Sequence, residues 1–311
     1  MPHTVMMKDI HQLFKEFLVE CEYARKLRPE TTRGYRAVFQ LFLKVMPEIT
    51  DIDALTPDML NEFFRRIETR PRKVGKKIRS GVKKSTIKTQ WSKLNVFFVW
   101  LCKRDYLIES PLRHIKAPRP NYDDFRRLED SQINKIYSSI VRCSTSPLII
   151  RRDTVMVSLL VFCGIRKGEF IALQVKDIDL IKNEITIRAE TSKSKKTRVL
   201  IMHPTLVLHL KDYLKERNAL KTEHLIVTSK KDEGLTKHGL HHWVKSLIIK
   251  SGVRFHLHQF RHTFACKLCE ANVNVFKVQK LMGHNDISMT MKYARSLRTE
   301  DMTEDIGKIT I

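Results

Sequence analysis

The chain has 311 residues, enough for two domains, and its 58 Lys and Arg against 34 Asp and Glu give a formal net charge of +24. Apolar residues make up 42% of the chain, which argues against a disordered protein. Charges interrupt each hydrophobic stretch before the ~18 residues of a membrane span, and no secretory signal is expected at the first ten residues. Six cysteines spread over this length exclude a disulfide scaffold and favour reduced thiols.

The basic charge is spread over both halves of the chain. Residues 1–118 hold 24 basic and 13 acidic residues, a net of +11, and residues 119–311 hold 34 and 21, a net of +13. The densest run, from Arg70 to Lys84, has eight basic residues and no acidic one. We expect a cytoplasmic, nucleoid-associated protein that holds nucleic acid between two basic halves. The run itself is either a loop that lies on phosphates or a solvated connector.

The first half is predicted to be helical throughout. Apolar residues recur at helical spacing in residues 7–27 and 31–45. Thr56 with Pro57 is a favourable start for a third helix, and Ser85 is expected to cap a long fourth one. These stripes predict a bundle of four or five helices, forming a domain of residues 1–115.

The second half combines helices with a small β-sheet. Prolines and mixed charges mark residues 116–126 as a linker, followed by a domain of residues 127–311. Helices are predicted at 131–141 and 152–163, with Gly164 as a left-handed stop, and strands at 184–188, 198–202 and 225–228. Further helix starts are expected at Pro204, Thr236, His258 and Asn274, with a stop at Gly283. The predicted class is mainly α with a small β-sheet.

Four separated segments of the second half share one pattern. In order they contain Arg166 after a glycine stop, Lys193 in a basic hairpin turn, His258-x-x-Arg261, and Gly283-His284 followed nine residues later by Tyr293. On a helix, His258 and Arg261 face the same side because they are three residues apart. Each segment alone is common, whereas their order and spacing together are highly specific.

This pattern resembles the catalytic domain of the tyrosine recombinase, or phage integrase, family over about residues 127–295. The helical first half is similar in type and position to the SAM-like core-binding domain of Xer-like, two-domain recombinases. The resemblance implies an N-terminal DNA-binding bundle followed by an α+β catalytic domain. It also implies double-stranded DNA recombination sites as partner, a tetramer on paired sites, a role in mobile elements, and accessory DNA-bending proteins as further partners.

The resemblance further implies six catalytic residues: Arg166, Lys193, His258, Arg261, His284 and Tyr293. The two arginines would clamp the scissile phosphate, the histidines would contact it, and Tyr293 would be the nucleophile. Lys193 would protonate the leaving 5′ hydroxyl, although Lys195 and Lys196 share its turn and remain alternatives. Leu257, Gly168 and Met289 depart from the family's usual Pro, Ser and Thr, which suggests a divergent branch.

The chemistry of these residues also suits the cleavage of a phosphodiester, independently of the family resemblance. Two guanidiniums can bind the nonbridging oxygens of a pentacovalent phosphate bidentately. A tyrosine hydroxyl, with a pKa of ~10, needs nearby cations and a proton acceptor to attack phosphorus. A phosphotyrosine bond conserves the energy of the original diester, so rejoining needs no ATP. Arg166 and Arg261 would supply the positive charge that a metal would otherwise supply. The sequence accordingly has no Walker motif and no carboxylate cluster for a two-metal site.

Two other functions are compatible with the sequence pattern. They are a catalytically restricted DNA-binding protein and an enzyme resembling type IB topoisomerases or telomere resolvases. Cys266-x-x-Cys269 and the pair His258 and His262 are weak candidates for redox or zinc chemistry, because neither has the required companion residues. Finally, Ile306, Ile309 and Ile311 form an apolar patch that either folds back on its own domain or docks into a neighbouring subunit.

Overall fold

Helices and small antiparallel sheets make up the secondary structure of this protein, as given by a computed structural model. The structure describes residues 9–75, 77–119, 127–144, 146–192, 194–228 and 232–294. The chain divides into two units, residues 1–123 and 124–311. The predicted fold class, mainly α with a small β-sheet, is confirmed. Within the described ranges, no helix is long and apolar enough to cross a membrane.

The first unit is a helical bundle with a short β-hairpin. Its elements are α1 (Ile10–Val19), α2 (Pro29–Val45), α3 (Pro57–Thr69), β1 (Pro71–Val74), β2 (Lys77–Ser80) and α4 (Lys84–Lys103). A π-helical turn, Glu20–Ala24, extends α1. The core is aromatic: Phe14 stacks on Phe39 with ring centroids 3.7 Å apart, and Phe97 meets Phe14 edge-on at 5.3 Å. These rings are the apolar stripes that the sequence predicts.

Of the two helix N-caps predicted in this unit, one is confirmed and one is wrong. Thr56 caps α3 as predicted, because its Oγ1 accepts a hydrogen bond from the Met59 amide at 3.3 Å. The predicted cap at Ser85 is wrong: α4 begins at Lys84, and the N-cap residue is the extended Lys83, whose side chain makes no capping bond. The expectation of an all-helical first half is also wrong, because β1 and β2 pair antiparallel where a loop was predicted.

The second unit surrounds a central apolar helix. Its helices are α5 (Asp130–Arg142), α6 (Pro147–Cys163), α7 (Lys167–Ala172), α8 (Pro204–Arg217), α9 (Lys237–Ser251), α10 (Leu257–Glu270), α11 (Val275–Met282) and α12 (Ser288–Ala294). Its strands are β3 (Ile178–Asp179), β4 (Glu184–Ile187) and β5 (Arg198–Ile201). From Val155 to Leu160 each residue of α6 is buried, which identifies α6 as the core helix of the unit.

The sheet of this unit has the order β3-β4-β5 and is antiparallel. The predicted hairpin is therefore confirmed, and Ile185 and Ile187 alternate into the core. The predicted strand at 225–228 is wrong. Those residues are held by isolated backbone bonds, such as Leu225 N–H to the Leu173 carbonyl at 2.8 Å, and they form no ladder. Burial rather than strand pairing explains that apolar run.

Candidate active site

The turn that carries Arg166 is built by a glycine. Gly164 ends α6 with φ of 54°, and a Cβ there would lie 2.4 Å from the ring of Phe264 on α10. Only glycine fits both the left-handed backbone and this close approach. The chain then extends through Arg166, the N-cap residue of α7, whose amide donates to the Glu169 carboxylate at 2.9 Å. The glycine thereby sets the position from which the Arg166 side chain projects.

The C-terminal end of α11 gathers three arginines from three different elements. Each donates to a backbone carbonyl there: Arg198 Nε to Leu281 at 3.1 Å, Arg261 to Met282, and Arg166 to Gly283 at 2.7 Å. Carbonyls at a helix end lack intrahelical partners and carry partial negative charge, so cations are favoured there. A Cβ on Gly283 would lie 3.0 to 3.2 Å from the Arg198 guanidinium, which makes this helix stop part of the cluster.

One buried carboxylate balances this positive cluster. Glu169 is 1% exposed and accepts hydrogen bonds from both terminal guanidinium nitrogens of Arg198, at 3.0 and 2.8 Å, and from Arg166 at 3.0 Å. Burial would raise the pKa of Glu169, but hydrogen bonding and charge from Arg198 and Arg166 outweigh it and lower the pKa to about 2. Three arginines against one carboxylate leave the cluster with an excess of positive charge.

Arg261 is the most buried of the three arginines in this cluster. It is 3% exposed, and its guanidinium donates to the Gly164 carbonyl at 2.6 Å, which ties α10 to the end of α6. Burial, followed by repulsion from Arg166, lowers the pKa of Arg261 to about 9. It remains charged at neutral pH, and an anion bound beside it would relieve both the desolvation and the repulsion.

Tyr293 lies between two imidazole rings. Its ring centroid is 5.5 Å from that of His262 and 6.2 Å from that of His284. His262 in turn meets His258 edge-on at 4.4 Å, so the rings form a continuous row. His284 Nδ1 shares a 2.9 Å hydrogen bond with the hydroxyl of Thr290, which is fully buried on α12. These contacts fix the ring planes around the tyrosine.

Burial and nearby positive charge favour the neutral form of the three histidines around Tyr293. Burial, and then the positive charge of Arg261, lowers the pKa of His284 to about 4. Burial, and then the adjacent His258, lowers the pKa of His262 to about 4. Partial loss of hydration followed by Arg261 also lowers the pKa of the more exposed His258. Burial raises the pKa of Tyr293, while Arg261 opposes that rise. At neutral pH these imidazoles are therefore proton acceptors and the phenol keeps its proton.

The structure thus brings together five of the six residues singled out from the sequence: Arg166, His258, Arg261, His284 and Tyr293. Lys193 lies outside the described residues. Its neighbour Ser192 is fully buried and donates to Glu169 at 3.3 Å, so the turn adjoins the arginine cluster at that point. Lys195 and Lys196, the alternatives to Lys193, are exposed.

The sequence pattern assigns no role at the site to Glu169, Arg198 or His262. Glu169 follows Arg166 by three residues at a helix start, a spacing that matches a carboxylate returning to the N-cap amide. His262 follows His258 by four residues on α10, which places both on one face. No local pattern in the sequence predicts a role for Arg198, because its partner Glu169 lies 29 residues away in the sequence.

The cysteine pair and the histidine pair carry no metal-binding arrangement. Cys266 and Cys269 are buried, neither is in a disulfide bond, and both share an apolar cluster with Tyr293. Among the described residues, no group of three or more His, Cys, Asp or Glu is arranged to hold a metal ion. The cysteines serve here as packing under the tyrosine.

Comparison with known proteins identifies the family. The sequence model of the Phage integrase family matches residues 126–300, and that of the Phage integrase N-terminal SAM-like domain matches residues 14–105. The chain is 25% identical to tyrosine recombinase XerC of Alcanivorax borkumensis, over 93% of this chain and 91% of that protein. It is 27% identical to a tyrosine recombinase of Pseudothermotoga lettingae, over 92% and 93%.

Solved structures share the fold. The Tn1549 transposon integrase in complex with transposon right end DNA superposes with a TM-score of 0.77 at 17% identity, covering 97% of this chain and 99% of that one. The XerH site-specific recombinase bound to a palindromic difH substrate, a post-cleavage complex, gives a TM-score of 0.71 at 21% identity, covering 95% of this chain and 84% of that one. The predicted family is confirmed, and with it the class of enzyme. The chain belongs to the phage integrase family of tyrosine recombinases.

Proposed function

We propose that this protein is a site-specific DNA recombinase that cuts and rejoins strands through a 3′-phosphotyrosine intermediate, without metal or ATP. The observation that carries the proposal is the position of Tyr293, packed between histidines and beside a cluster of arginines with one buried carboxylate. In this proposal residues 1–115 bind DNA, residues 116–126 link the domains, and residues 127–311 carry out catalysis. The protein acts in the cytoplasm, at the nucleoid.

Cleavage begins when the phenolic oxygen of Tyr293 attacks the scissile phosphorus. Its proton passes to a neutral imidazole, for which His258 and His284 are the candidates because their lowered pKa values leave them deprotonated at neutral pH. Arg166 and Arg261 hold the nonbridging oxygens and stabilise the added charge of the pentacovalent centre. Glu169 and Arg198 orient Arg166 rather than touch the phosphate.

The P–O5′ bond then breaks, and the leaving 5′ oxygen takes a proton from Lys193. The products are a 3′-phosphotyrosine and a free 5′ hydroxyl. Rejoining is the reverse reaction: the 5′ hydroxyl of the partner strand attacks the phosphotyrosine, and Tyr293 recovers its proton. The number of phosphodiester bonds is conserved, which is why the exchange needs no nucleotide. Recombination takes place in a tetramer on two duplex sites, with accessory DNA-bending proteins as further partners.

The decisive experiment traps the covalent intermediate. The full chain first selects a short duplex from a random pool by binding. That duplex is then nicked just 3′ of the scissile phosphate, so that the short fragment carrying the free 5′ hydroxyl diffuses away after cleavage and cannot rejoin. Wild-type protein is expected to give a protein–DNA adduct on a denaturing gel. The Tyr293→Phe variant, which keeps the ring but lacks the hydroxyl, is expected to bind the duplex and give no adduct. An adduct with the variant would overturn the assignment of the nucleophile.

A further inference from the structure

The basic run between α3 and α4 folds into a defined hairpin. In β1 and β2, Pro71 pairs with Ser80, Arg72 with Arg79, Lys73 with Ile78 and Val74 with Lys77. Directly paired residues share a face, so Arg72, Val74, Lys77 and Arg79 lie on one face and the other four on the opposite face. Each described strand residue except Arg72, which is half-buried, is exposed. The hairpin therefore presents both faces to solvent.

The base of the hairpin is fixed to the end of α3. Gly81 has φ of 60°, and a Cβ there would lie 1.8 Å from the Glu68 carbonyl oxygen. Ser80 Oγ donates to the Thr69 carbonyl at 2.9 Å, and Arg72 Nε donates to the Gly81 carbonyl at 2.6 Å. A backbone bond from Gly81 to Arg70, at 2.9 Å, closes the base. The direction of the hairpin is thus set by packing at its base, whereas at its tip nothing lies within 4 Å of a Cβ added to Gly75.

The positive charges of the hairpin repel one another. Arg72 and Arg79 are directly cross-strand, a pairing of like charges that destabilises a hairpin in isolation. Among the residues the structure describes, no ion pair joins Arg72, Lys73, Lys77 or Arg79 to a carboxylate. A polyanion placed along the hairpin would offset this repulsion. The net charge of the whole chain, +24, favours nucleic acid as that polyanion.

The apolar residues are placed at the distal end. Ile78 is 78% exposed and Val74 is 40% exposed, and each lies directly across from a lysine. A single exposed isoleucine says little on its own. Here the order of the cross-strand pairs along the hairpin is informative. The two pairs that join an apolar residue to a lysine are near the tip, and the pair of arginines is nearer the base.

We propose that the hairpin of residues 71–80 is a DNA-binding ribbon that enters the major groove tip first. A two-stranded ribbon fits this groove, which is about 12 Å wide and about 8.5 Å deep. Since a strand rises about 3.3 Å per residue, Val74 lies about 6.6 Å and Ile78 about 3.3 Å closer to the tip than the pair of Arg72 and Arg79. The apolar residues therefore approach the base edges, while the longer arginine side chains reach back to the phosphates. Ile78 is suited to a thymine methyl group, and Arg79 to a phosphate.

This inference rests on the proposed function, and two variants of exposed residues test it without touching the active site. Ile78→Ser removes the apolar contact, and Lys77→Gln with Arg79→Gln removes two charges. The matched control is Lys44→Gln with Lys103→Gln, two exposed lysines at the ends of α2 and α4 in the same unit. The probes are the pool-selected duplex and a duplex of random sequence.

Ile78→Ser is expected to bind the selected duplex about tenfold more weakly and the random duplex as wild type does. For the double charge variant, the slope of log binding constant against log salt concentration is expected to become shallower by about 0.9 for each phosphate that is no longer neutralised. The control pair is expected to change this slope less. Dimethyl sulfate footprinting is expected to show protection of guanine N7, in the major groove, that is absent with both hairpin variants. Protection confined to adenine N3, or a salt slope changed equally by the control, would overturn the inference.

The covalent adduct separates this inference from the proposed function. The hairpin variants are expected to need a higher concentration of nicked duplex than wild type to form adduct, because their DNA binding is weakened while Tyr293 is untouched. If wild type binds and is footprinted as expected but forms no adduct, the proposed function fails and the hairpin assignment stands. If the variants bind DNA normally but self-associate less in sedimentation velocity, the hairpin is a protein interface and the inference is wrong.

Discussion

The ring of Tyr293 lies nearly parallel to the imidazole of His284, with an interplanar angle of 11° and 6.2 Å between centroids. His284 is itself held by Thr290, one turn of α12 before the tyrosine. The orientation of the nucleophile and of a candidate proton acceptor therefore depends on one buried hydroxyl.

Thr290→Val should test that dependence. The substitution keeps the shape of the side chain and removes the hydrogen bond to His284, a loss of about 1 kcal/mol or more at a buried site. We expect adduct formation on the nicked duplex to slow about tenfold, with DNA affinity unchanged. Thr32→Val is the matched control, since Thr32 is also buried and bonds a backbone carbonyl in the other unit. Equal slowing in both variants would mean that the effect is general destabilisation.

His262→Phe and His262→Ala distinguish packing from proton chemistry. If His262 acts by supporting the Tyr293 ring at 5.5 Å, then Phe preserves much of the cleavage rate and Ala does not. If His262 accepts the tyrosine proton, both variants lose activity alike. We expect the first result, measured as single-turnover adduct formation at saturating DNA, because His262 is half-buried within a row of rings.

The pH profile should reflect the lowered pKa of His284. A proton acceptor with a pKa of about 4 is neutral across the physiological range, so cleavage at subsaturating DNA should be flat between about pH 5 and pH 8. An ordinary histidine acceptor would instead lose activity below about pH 6.5. A midpoint near 6.5 would exclude His284 as the acceptor in the free enzyme.

Glu169→Gln should destabilise the catalytic unit strongly. It leaves Arg198 and Arg166 without their buried counter-charge, a loss of about 3 to 5 kcal/mol at such sites. Because the pKa of Glu169 is lowered from 4.5 to about 2, its contribution is full above pH 4.5 and is lost as pH falls toward 2. Urea unfolding at neutral and acidic pH measures this. Glu190→Gln is the control, since that carboxylate pairs with Arg188 while 67% exposed and should matter little.

The sequence predicts some residues of the site and not others. Arg261 and Tyr293 were predictable because each lies in a short motif with fixed spacing, and Gly164 and Gly283 because helix ends require a left-handed residue. The ion pair of Glu169 and Arg198 was not, since it depends on how a strand packs beside a helix start far away in sequence.

The wrong secondary-structure predictions have equally physical reasons. Residues 225–228 look like a strand because they are apolar, but they are apolar because they are buried in irregular backbone. The hairpin of residues 71–80 looks like a loop because both of its faces are solvated and each mixes polar and apolar residues, so no alternation of apolar and polar residues marks its strands.

Residues 305–311, which lie outside the described residues, are expected to take part in assembly. Residue 305 follows Tyr293 by twelve residues in the sequence, so the segment is joined to the nucleophile by a short length of chain. Ile306, Ile309 and Ile311 give it an apolar end that needs burial, and we propose that it docks on the next subunit in a ring, a head-to-tail contact. Deleting residues 305–311 should leave binding to a one-site duplex nearly intact and reduce cooperative binding to a two-site duplex, together with recombination. Gel-shift titration on both duplexes measures this. A truncated protein that recombines normally, or that simply unfolds, would rule out docking on the next subunit as the main role of this segment.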